Sequence, residues 1–105
     1  MNIHLRSIFG PPLDVILQDN LPVVIGRGAH ADVAIDDRWV SRMHCLLTAV
    51  GERDFVRDLE SKHGTFVNEE LVDSAELLDG DRLEVGLSTI LVRQQVDSCI
   101  RSGET

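Results

Sequence analysis

Three short segments of the sequence contain the groups that bind a phosphate. They are Gly26-Arg27, Ser41-Arg42-Met43-His44 and Ser61-Lys62-His63-Gly64-Thr65-Phe66-Val67-Asn68. A phosphate monoester presents strong acceptor oxygens and nearly two negative charges, so its site needs a guanidinium group, a hydroxyl donor and free backbone N–H groups. Arg27 and Arg42 can supply guanidinium groups, and Ser41 can supply the hydroxyl. The three segments therefore predict an anion site assembled from separate loops.

The elements expected to position these segments are short β-strands. Period-two patterns predict strands at residues 3–9, 14–17, 23–25, 33–35, 44–50, 54–58, 65–67, 82–85 and 89–94. Clusters of Gly, Pro, Asp or Asn separate them, which is typical of an all-β fold, here a two-sheet antiparallel β-sandwich. The best helical candidate is 74–78, too short to be an independent helix. A sandwich gathers its loops at its ends, so loops distant in sequence can converge on one ligand.

The length and composition fit one small domain. The chain has 105 residues, and its abundant Ile, Leu and Val can form an aliphatic core. We expect the domain to cover residues 1–95 and a flexible tail to cover residues 96–105. We find neither an apolar run of about 18–20 residues nor a signal peptide, so we expect a cytoplasmic protein with no membrane partner.

The distribution of charge separates two classes of ligand. The net charge is −8, which argues against a nucleic-acid binder because such a protein needs a basic face. Four basic residues nevertheless lie in or beside the phosphate segments, and these are Arg27, Arg38, Arg42 and Lys62. Salt screens exposed charges beyond about 8 Å, so the local field decides at contact distance. The sequence therefore remains compatible with a phosphorylated peptide ligand.

The two cysteines are far apart in sequence and form no CxxC pair. We expect Cys45 to be a small buried residue in a strand and Cys99 to lie in the polar tail. Because cytosolic thiols usually stay reduced, we expect both to be free.

The phosphate segments, in this order and at this spacing, resemble the forkhead-associated domain, a reader of phosphothreonine peptides. The resemblance extends from about residue 21 to residue 94 and includes a late Gly80-Asp81 turn. It implies a two-sheet sandwich that holds phosphothreonine at the loop end away from the chain termini. It also implies that Arg27 binds the phosphate or the adjacent peptide backbone, Ser41 donates its hydroxyl to a phosphate oxygen, and Arg42 pairs with the phosphate charge. Supporting roles in shaping, bracing or hydrogen bonding the loops are implied for Gly26, His44, Gly64, Thr65 and Asn68.

The third segment departs from the common family pattern at two positions. His63 stands where an asparagine usually precedes the glycine and holds the ligand main chain. An imidazole presents one donor and one acceptor, so it replaces the amide only in part, and its charge titrates. Lys62 stands where a small residue or threonine is common, and it either contacts the phosphate or points into water. We include both residues among the candidate peptide contacts.

Trp39 lies just before the second segment, two residues ahead of Ser41, and its ring has two interpretations. Large apolar side chains are usually buried, so the ring could pack over the edge of the sandwich and hold the loop. Aromatic residues are also common anchors in recognition surfaces, so the ring could form a wall for residues flanking the phosphothreonine. We favour the packing role.

Catalytic and metal chemistry find little support in the sequence. Ser41, His44 and Asp58 are the residue types of a hydrolase triad, but no nucleophile-elbow sequence surrounds the serine. No His, Cys or carboxylate spacing resembles a metal site. We therefore expect no enzyme activity, no metal and no cofactor.

The sequence thus predicts a phosphothreonine-peptide recognition module for phosphorylation-dependent protein–protein interaction in serine/threonine-kinase signalling. The expected partner is a phosphothreonine-containing protein or peptide, either a kinase substrate or the kinase itself, and not a nucleic acid. The alternative is a phosphate-independent scaffold of the same fold, used for protein–protein interaction or oligomerisation. His63 is the main reason to keep that alternative.

Overall fold

Short strands connected by turns account for the fold. The computed structural model describes residues 2–18 and 21–95. The strands in this part of the chain are β1 (Asn2–Phe9), β2 (Asp14–Gln18), β3 (Val23–Gly26), β4 (Val33–Ala34), β5 (Cys45–Val50), β6 (Arg53–Asp58), β7 (Thr65–Val67), β8 (Glu70–Val72), β9 (Ser74–Leu77), β10 (Arg82–Val85) and β11 (Ser88–Gln95). They confirm the predicted all-β class.

The strands form two sheets that face each other across one core. The six-stranded sheet has the order β2-β1-β11-β10-β7-β8, and the five-stranded sheet has the order β4-β3-β5-β6-β9. The sandwich is antiparallel as predicted, except that β4 pairs with β3 in parallel through Ile25 and Val33. The loop between β3 and β4 returns to the start of β3, so that the two strands run in the same direction. Asp32 holds this loop, because its carboxylate accepts the Val24 N–H at 2.8 Å.

The core lies between the sheets and consists almost entirely of aliphatic side chains. Alternate residues of each strand point inward, because successive side chains of a strand face opposite sides of the sheet. The most deeply buried members are Leu5, Ile25, Leu47, Val56, Leu77, Leu83, Val85, Ile90 and Val92. Removing this apolar surface from water is the main force that brings the two sheets together.

The strand register gathers the binding segments at one end of the sandwich. Phe9 pairs with Thr89 and Thr65 pairs with Val85, so the β1–β2, β10–β11 and β6–β7 connections share an end of the six-stranded sheet. In the other sheet Ile25 pairs with Cys45, which also pairs with Asp58. The connections 27–32, 35–44 and 59–64 therefore leave that sheet together.

One segment differs from its interpretation in the sequence. The best helical candidate, 74–78, forms strand β9, which pairs with β6 from Ser74↔Arg57 to Leu77↔Asp54. Ala, Glu and Leu favour helices, but hydrogen bonding to the edge of the five-stranded sheet overrides that preference here. The short strand β8 was not predicted. The predicted tail at 96–105 and Cys99 lie outside the described residues.

Among residues 2–18 and 21–95, no helix has the length and apolarity needed to cross a membrane.

Candidate functional site

The first two phosphate segments are fastened together by backbone contact at Gly26. A Cβ atom at this position would lie 1.9 Å from the carbonyl oxygen of Arg42, so only glycine allows the two chains to approach this closely. On either side, the Arg27 N–H donates to the Ser41 carbonyl at 3.0 Å, and the His44 N–H donates to the Ile25 carbonyl at 2.9 Å. The positions of Arg27 and Ser41 are therefore set by the same backbone interface.

His44 connects the second segment to the third from a fully buried position. Its Nδ1 accepts the Ser41 N–H at 3.0 Å, and its Nε2 lies 2.8 Å from the carbonyl oxygen of Gly64. Because a carbonyl can only accept, Nε2 must carry the hydrogen, which defines the neutral Nε2–H tautomer. His44 is therefore a structural link between loops and has no free nitrogen for a metal or a proton transfer.

Asp58 organises the third segment from the end of β6. Its Oδ1 accepts the Ser61 hydroxyl at 2.5 Å and the Thr65 hydroxyl at 2.7 Å, and its Oδ2 accepts the Ser61 N–H at 3.2 Å. Ser61 Oγ in turn accepts the Gly64 N–H at 3.0 Å. Burial alone would raise the pKa of Asp58, but the hydrogen bonds from Ser61 and Thr65 outweigh it and hold that pKa below its ordinary value. The carboxylate thus favours its charged form and a fixed loop.

The Ser41 hydroxyl lies where the second and third segments meet. The Lys62 N–H donates to Ser41 Oγ at 3.0 Å. An oxygen that accepts this bond still has its own hydrogen to donate. Ser41 is therefore oriented by the protein and keeps a donor for a ligand.

These contacts build a shallow basic groove of about 270 Å³ at the loop end of the sandwich. Its lining residues are Arg27, Arg38, Trp39, Val40, Ser41, Lys62 and His63. Arg27 Nε donates to the Val40 carbonyl at 3.0 Å, which orients the guanidinium and leaves its other N–H groups available. Within the described residues, none of the ion pairs involves Arg27, Arg38 or Lys62. The groove therefore concentrates positive charge on an otherwise acidic protein.

One wall of the basic groove is aromatic. The rings of Trp39 and His63 meet edge to face with centroids 4.9 Å apart. Trp39 keeps 44% of its surface exposed, so it lies on the groove wall and is only partly covered by the protein. The packing role that we favoured from the sequence accounts for only part of its environment.

The structure brings together four of the five predicted contact residues. Arg27, Ser41, Lys62 and His63 line the basic groove, whereas Arg42 is exposed beside Ser41 and is not among the lining residues. Arg38 also lines the basic groove, although the sequence did not place it among the candidate contacts. The sequence signal for Arg38 is its position three residues before Ser41.

The remaining supporting residues stabilise turns around the site. Thr65 is fully buried and bonds Asp58, as described. Asn68 has a positive φ of 51° and bridges two turns, because its Nδ2 donates to Asp81 and its Oδ1 accepts the Arg82 N–H, both at 3.0 Å. Asn68 therefore holds the β7–β8 turn against the Asp81 turn and is not part of the groove lining.

Sequence reasoning missed the role of Asp37, which is 5% exposed. Its Oδ1 accepts the Trp39 N–H at 2.9 Å, while its Oδ2 accepts the Leu87 N–H at 2.9 Å and the Ser88 hydroxyl at 2.8 Å. Burial would raise the pKa of Asp37, but these hydrogen bonds lower it overall. The carboxylate ties the 35–44 connection to the β10–β11 turn.

Known proteins share this sequence pattern. The family model for the FHA domain matches residues 23–86. Over 70 residues, 67% of this chain, the sequence is 40% identical to the FHA domain-containing protein FhaA of Mycobacterium tuberculosis and to the glycogen accumulation regulator GarA of Mycolicibacterium smegmatis. The match covers 13% of FhaA and 44% of GarA, so this chain spans less than half of either relative.

Known structures share the fold. A structure solved in a study of phosphothreonine-dependent FHA domain interactions superposes with a TM-score of 0.83 and is 32% identical in sequence. The superposition covers 91% of this chain and 99% of that one. From the sequence match, the sandwich and the loop-end groove together, the chain belongs to the FHA domain family.

Proposed function

We propose that this chain is a non-catalytic module that binds phosphothreonine peptides and so recruits a phosphorylated protein. The observation that best supports this function is the oriented Ser41 hydroxyl, which faces a groove with Arg27, Arg38 and Lys62. A hydroxyl and several cations around one concave site fit an anion with multiple acceptor oxygens. The similarity to a structure studied for phosphothreonine-dependent interactions supports the same ligand.

The proposal assigns a role to each side of the basic groove. Ser41 donates to one phosphate oxygen, and the guanidinium of Arg27 contacts the phosphate or the neighbouring peptide backbone. Arg42, at the rim, adds charge and makes a weaker contribution than Arg27. His63 stands where the family usually has an asparagine, and one imidazole nitrogen takes over the role of the asparagine amide. It holds the peptide main chain with help from Trp39.

The proposed setting is serine/threonine-kinase signalling in the cytoplasm, where such kinases supply phosphothreonine. The partner is a kinase substrate or the kinase itself. Hydrolysis has no place in this proposal, because His44 uses both ring nitrogens in loop contacts and cannot activate Ser41.

A titration with peptide libraries tests this function. Degenerate peptides with a central phosphothreonine are compared with phosphoserine and unphosphorylated versions, using the intact chain. We expect binding to the phosphothreonine set, weaker binding to phosphoserine because a methyl contact is lost, and none to the unphosphorylated set. Arg27→Ala should weaken binding of the phosphothreonine library by about 10- to 150-fold, which corresponds to the loss of one hydrogen bond to a charged group.

The same titration decides the alternative of a phosphate-independent scaffold. Equal binding of all three libraries, or binding that Arg27→Ala leaves unchanged, would contradict the proposed function. Arg57→Ala is the matched control, because Arg57 is an exposed arginine on β6 outside the basic groove.

A further inference from the structure

Two further grooves have no role in the proposed phosphate contact. The first, which we call the apolar groove, has a volume of about 330 Å³ and shares Arg38 and Trp39 with the basic groove. Phe9, Pro11 and Leu87 supply its other apolar side chains, and Gly10, Asp36 and Asp37 complete its lining. The basic groove and the apolar groove therefore share part of their lining.

The second, which we call the acidic groove, has a volume of about 370 Å³ and shares Phe9 and Leu87 with the apolar groove. Its lining includes Phe66 and the carboxylates of Glu69 and Glu84. Glu84 lies between Phe66 and Thr89 on the outer face of the six-stranded sheet. Taken in order, the linings of the three grooves thus change from positive charge, through mainly apolar side chains, to negative charge.

The apolar groove exposes side chains that usually avoid water. Phe9 is 67% exposed and Leu87 is 61% exposed, and both adjoin the half-exposed ring of Trp39. Single exposed apolar residues are ordinary, but several that line one concave surface are typical of an interaction site. Their position next to the phosphate groove indicates which ligand would cover them.

Asp37 fixes the two walls of the apolar groove relative to each other. One carboxylate oxygen holds the Trp39 backbone, and the other holds the backbone of Leu87. A Cβ at Gly86 would meet the same carboxylate at 3.0 Å and Val40 at 2.8 Å, so the turn before Leu87 is tightly packed. A groove with walls fixed in this way needs little ordering when a ligand binds, which favours affinity.

We propose that the apolar and acidic grooves bind the extended flank of the phosphorylated partner, with an apolar residue beside Phe9 and Leu87 and a lysine or arginine beside Glu84 and Glu69. The inference rests on the proposed phosphothreonine function and adds a second recognition element to it. Phosphate at one end and a basic residue at the other match the opposite charges of the two outer grooves. A flank of about eight residues spans roughly 26 Å when extended.

Peptide libraries of two lengths test the inference. The short library has phosphothreonine with about two degenerate residues on each side, and two long libraries add about eight degenerate residues on the N-terminal or the C-terminal side. With the unmodified chain, we expect selection of apolar and basic residues in the flank of one long library. The selected long peptides should bind about tenfold more tightly than the short ones.

Variants in the apolar and acidic grooves identify the surface responsible. Phe9→Ser and Leu87→Ser should reduce the affinity for selected long peptides to that for short peptides and leave short-peptide binding unchanged. Glu84→Lys should change the flank preference from basic to acidic residues. Val50→Ser is the matched control, since Val50 is 68% exposed at the far end of β5 and should change neither affinity.

The outcomes separate failure of this inference from failure of the proposed function. If short phosphothreonine peptides bind but long libraries show no selection, the flank inference is wrong and the phosphate function stands. If short phosphothreonine peptides do not bind, both are wrong. Concentration-dependent self-association that Phe9→Ser abolishes would also overturn the inference, because a second copy of the chain would then be the occupant.

Discussion

The backbone N–H of Lys62 donates a hydrogen bond to Ser41 Oγ at a distance of 3.0 Å. This bond joins two loops that are twenty-one positions apart in the chain. It also orients the hydroxyl that we assign to the phosphate, so one side chain both closes the site and contacts its ligand. Removing the hydroxyl therefore has two effects that can be measured separately.

Replacing Ser41 by alanine should weaken phosphothreonine-peptide binding by about 10- to 150-fold, because a hydrogen bond to a charged group contributes about 1.5–3 kcal/mol. The loss of folding stability should stay within about 1 kcal/mol, since the Lys62 N–H is exposed and water can replace Ser41 as its acceptor. Calorimetric titration and denaturant unfolding measure the two effects. Ser74→Ala, at an exposed serine on β9, is the control. Unchanged binding in Ser41→Ala would remove the hydroxyl from the ligand contacts.

Gly26→Ala should reduce both binding and stability, because the new Cβ would lie 1.9 Å from the Arg42 carbonyl and the two segments would have to separate. We expect a loss of about 2–4 kcal/mol in the free energy of unfolding, within the range seen for overpacking of a close contact. Gly51→Ala provides the comparison, since Gly51 has a positive φ of 64° and open space around it. That variant should lose only about 1 kcal/mol and keep full binding. Similar losses in the two variants would show that steric conflict at Gly26 is unimportant.

The sequence predicted the strands and most of the groove lining because both depend on local patterns. Apolar residues alternate with polar ones in β10, and glycines mark the turns that bring Arg27, Ser41 and Lys62 together. Helix-favouring residues misled the prediction at Ser74–Leu77, where pairing with β6 decides the conformation.

Features that depend on long-range contacts were not predictable in the same way. Asp37 bonds Leu87 and Ser88, about fifty positions later, and no local pattern marks that connection. The exclusion of Arg42 from the groove lining likewise depends on how the 41–44 turn lies against Gly26. Sequence patterns therefore locate the binding segments, whereas the shape of the grooves follows from tertiary contacts.

The free energy of unfolding should decrease as the pH is lowered through the range where Asp58 becomes protonated. Its pKa in the folded state lies below the ordinary value of 3.8, so the unfolded chain binds a proton more readily. The stabilisation from Asp58 is therefore complete above about pH 5 and is lost as the pH falls through the lowered pKa of the folded state. Asp58→Asn should lower stability at pH 7 by about 1–3 kcal/mol and make the dependence between pH 5 and pH 2 shallower.

Urea unfolding at several pH values measures this dependence. Part of the slope should remain in Asp58→Asn, because the pKa of Asp37 is also lowered. Asp73→Asn, at an exposed carboxylate in the turn before β9, is the control and should preserve the full slope. A slope in Asp58→Asn identical to that of the unmodified chain would contradict the assigned role of this carboxylate.

The Cys45 thiol should be unreactive until the sandwich opens. Cys45 is fully buried at the start of β5, and burial, followed by the nearby charge of Asp58, raises its pKa to about 12. Only about one thiol in ten thousand would be ionised at pH 8, and the thiolate is the reacting form.

In a Cys99→Ser variant, which leaves one thiol, we expect labelling at the rate of opening of the fold and fast labelling in denaturant. Adding Gly26→Ala should accelerate native-state labelling. Adding Gly51→Ala should accelerate it much less, because this variant should lose less free energy of unfolding. Rapid labelling of the otherwise unmodified Cys99→Ser protein would show that β5 opens without unfolding of the core.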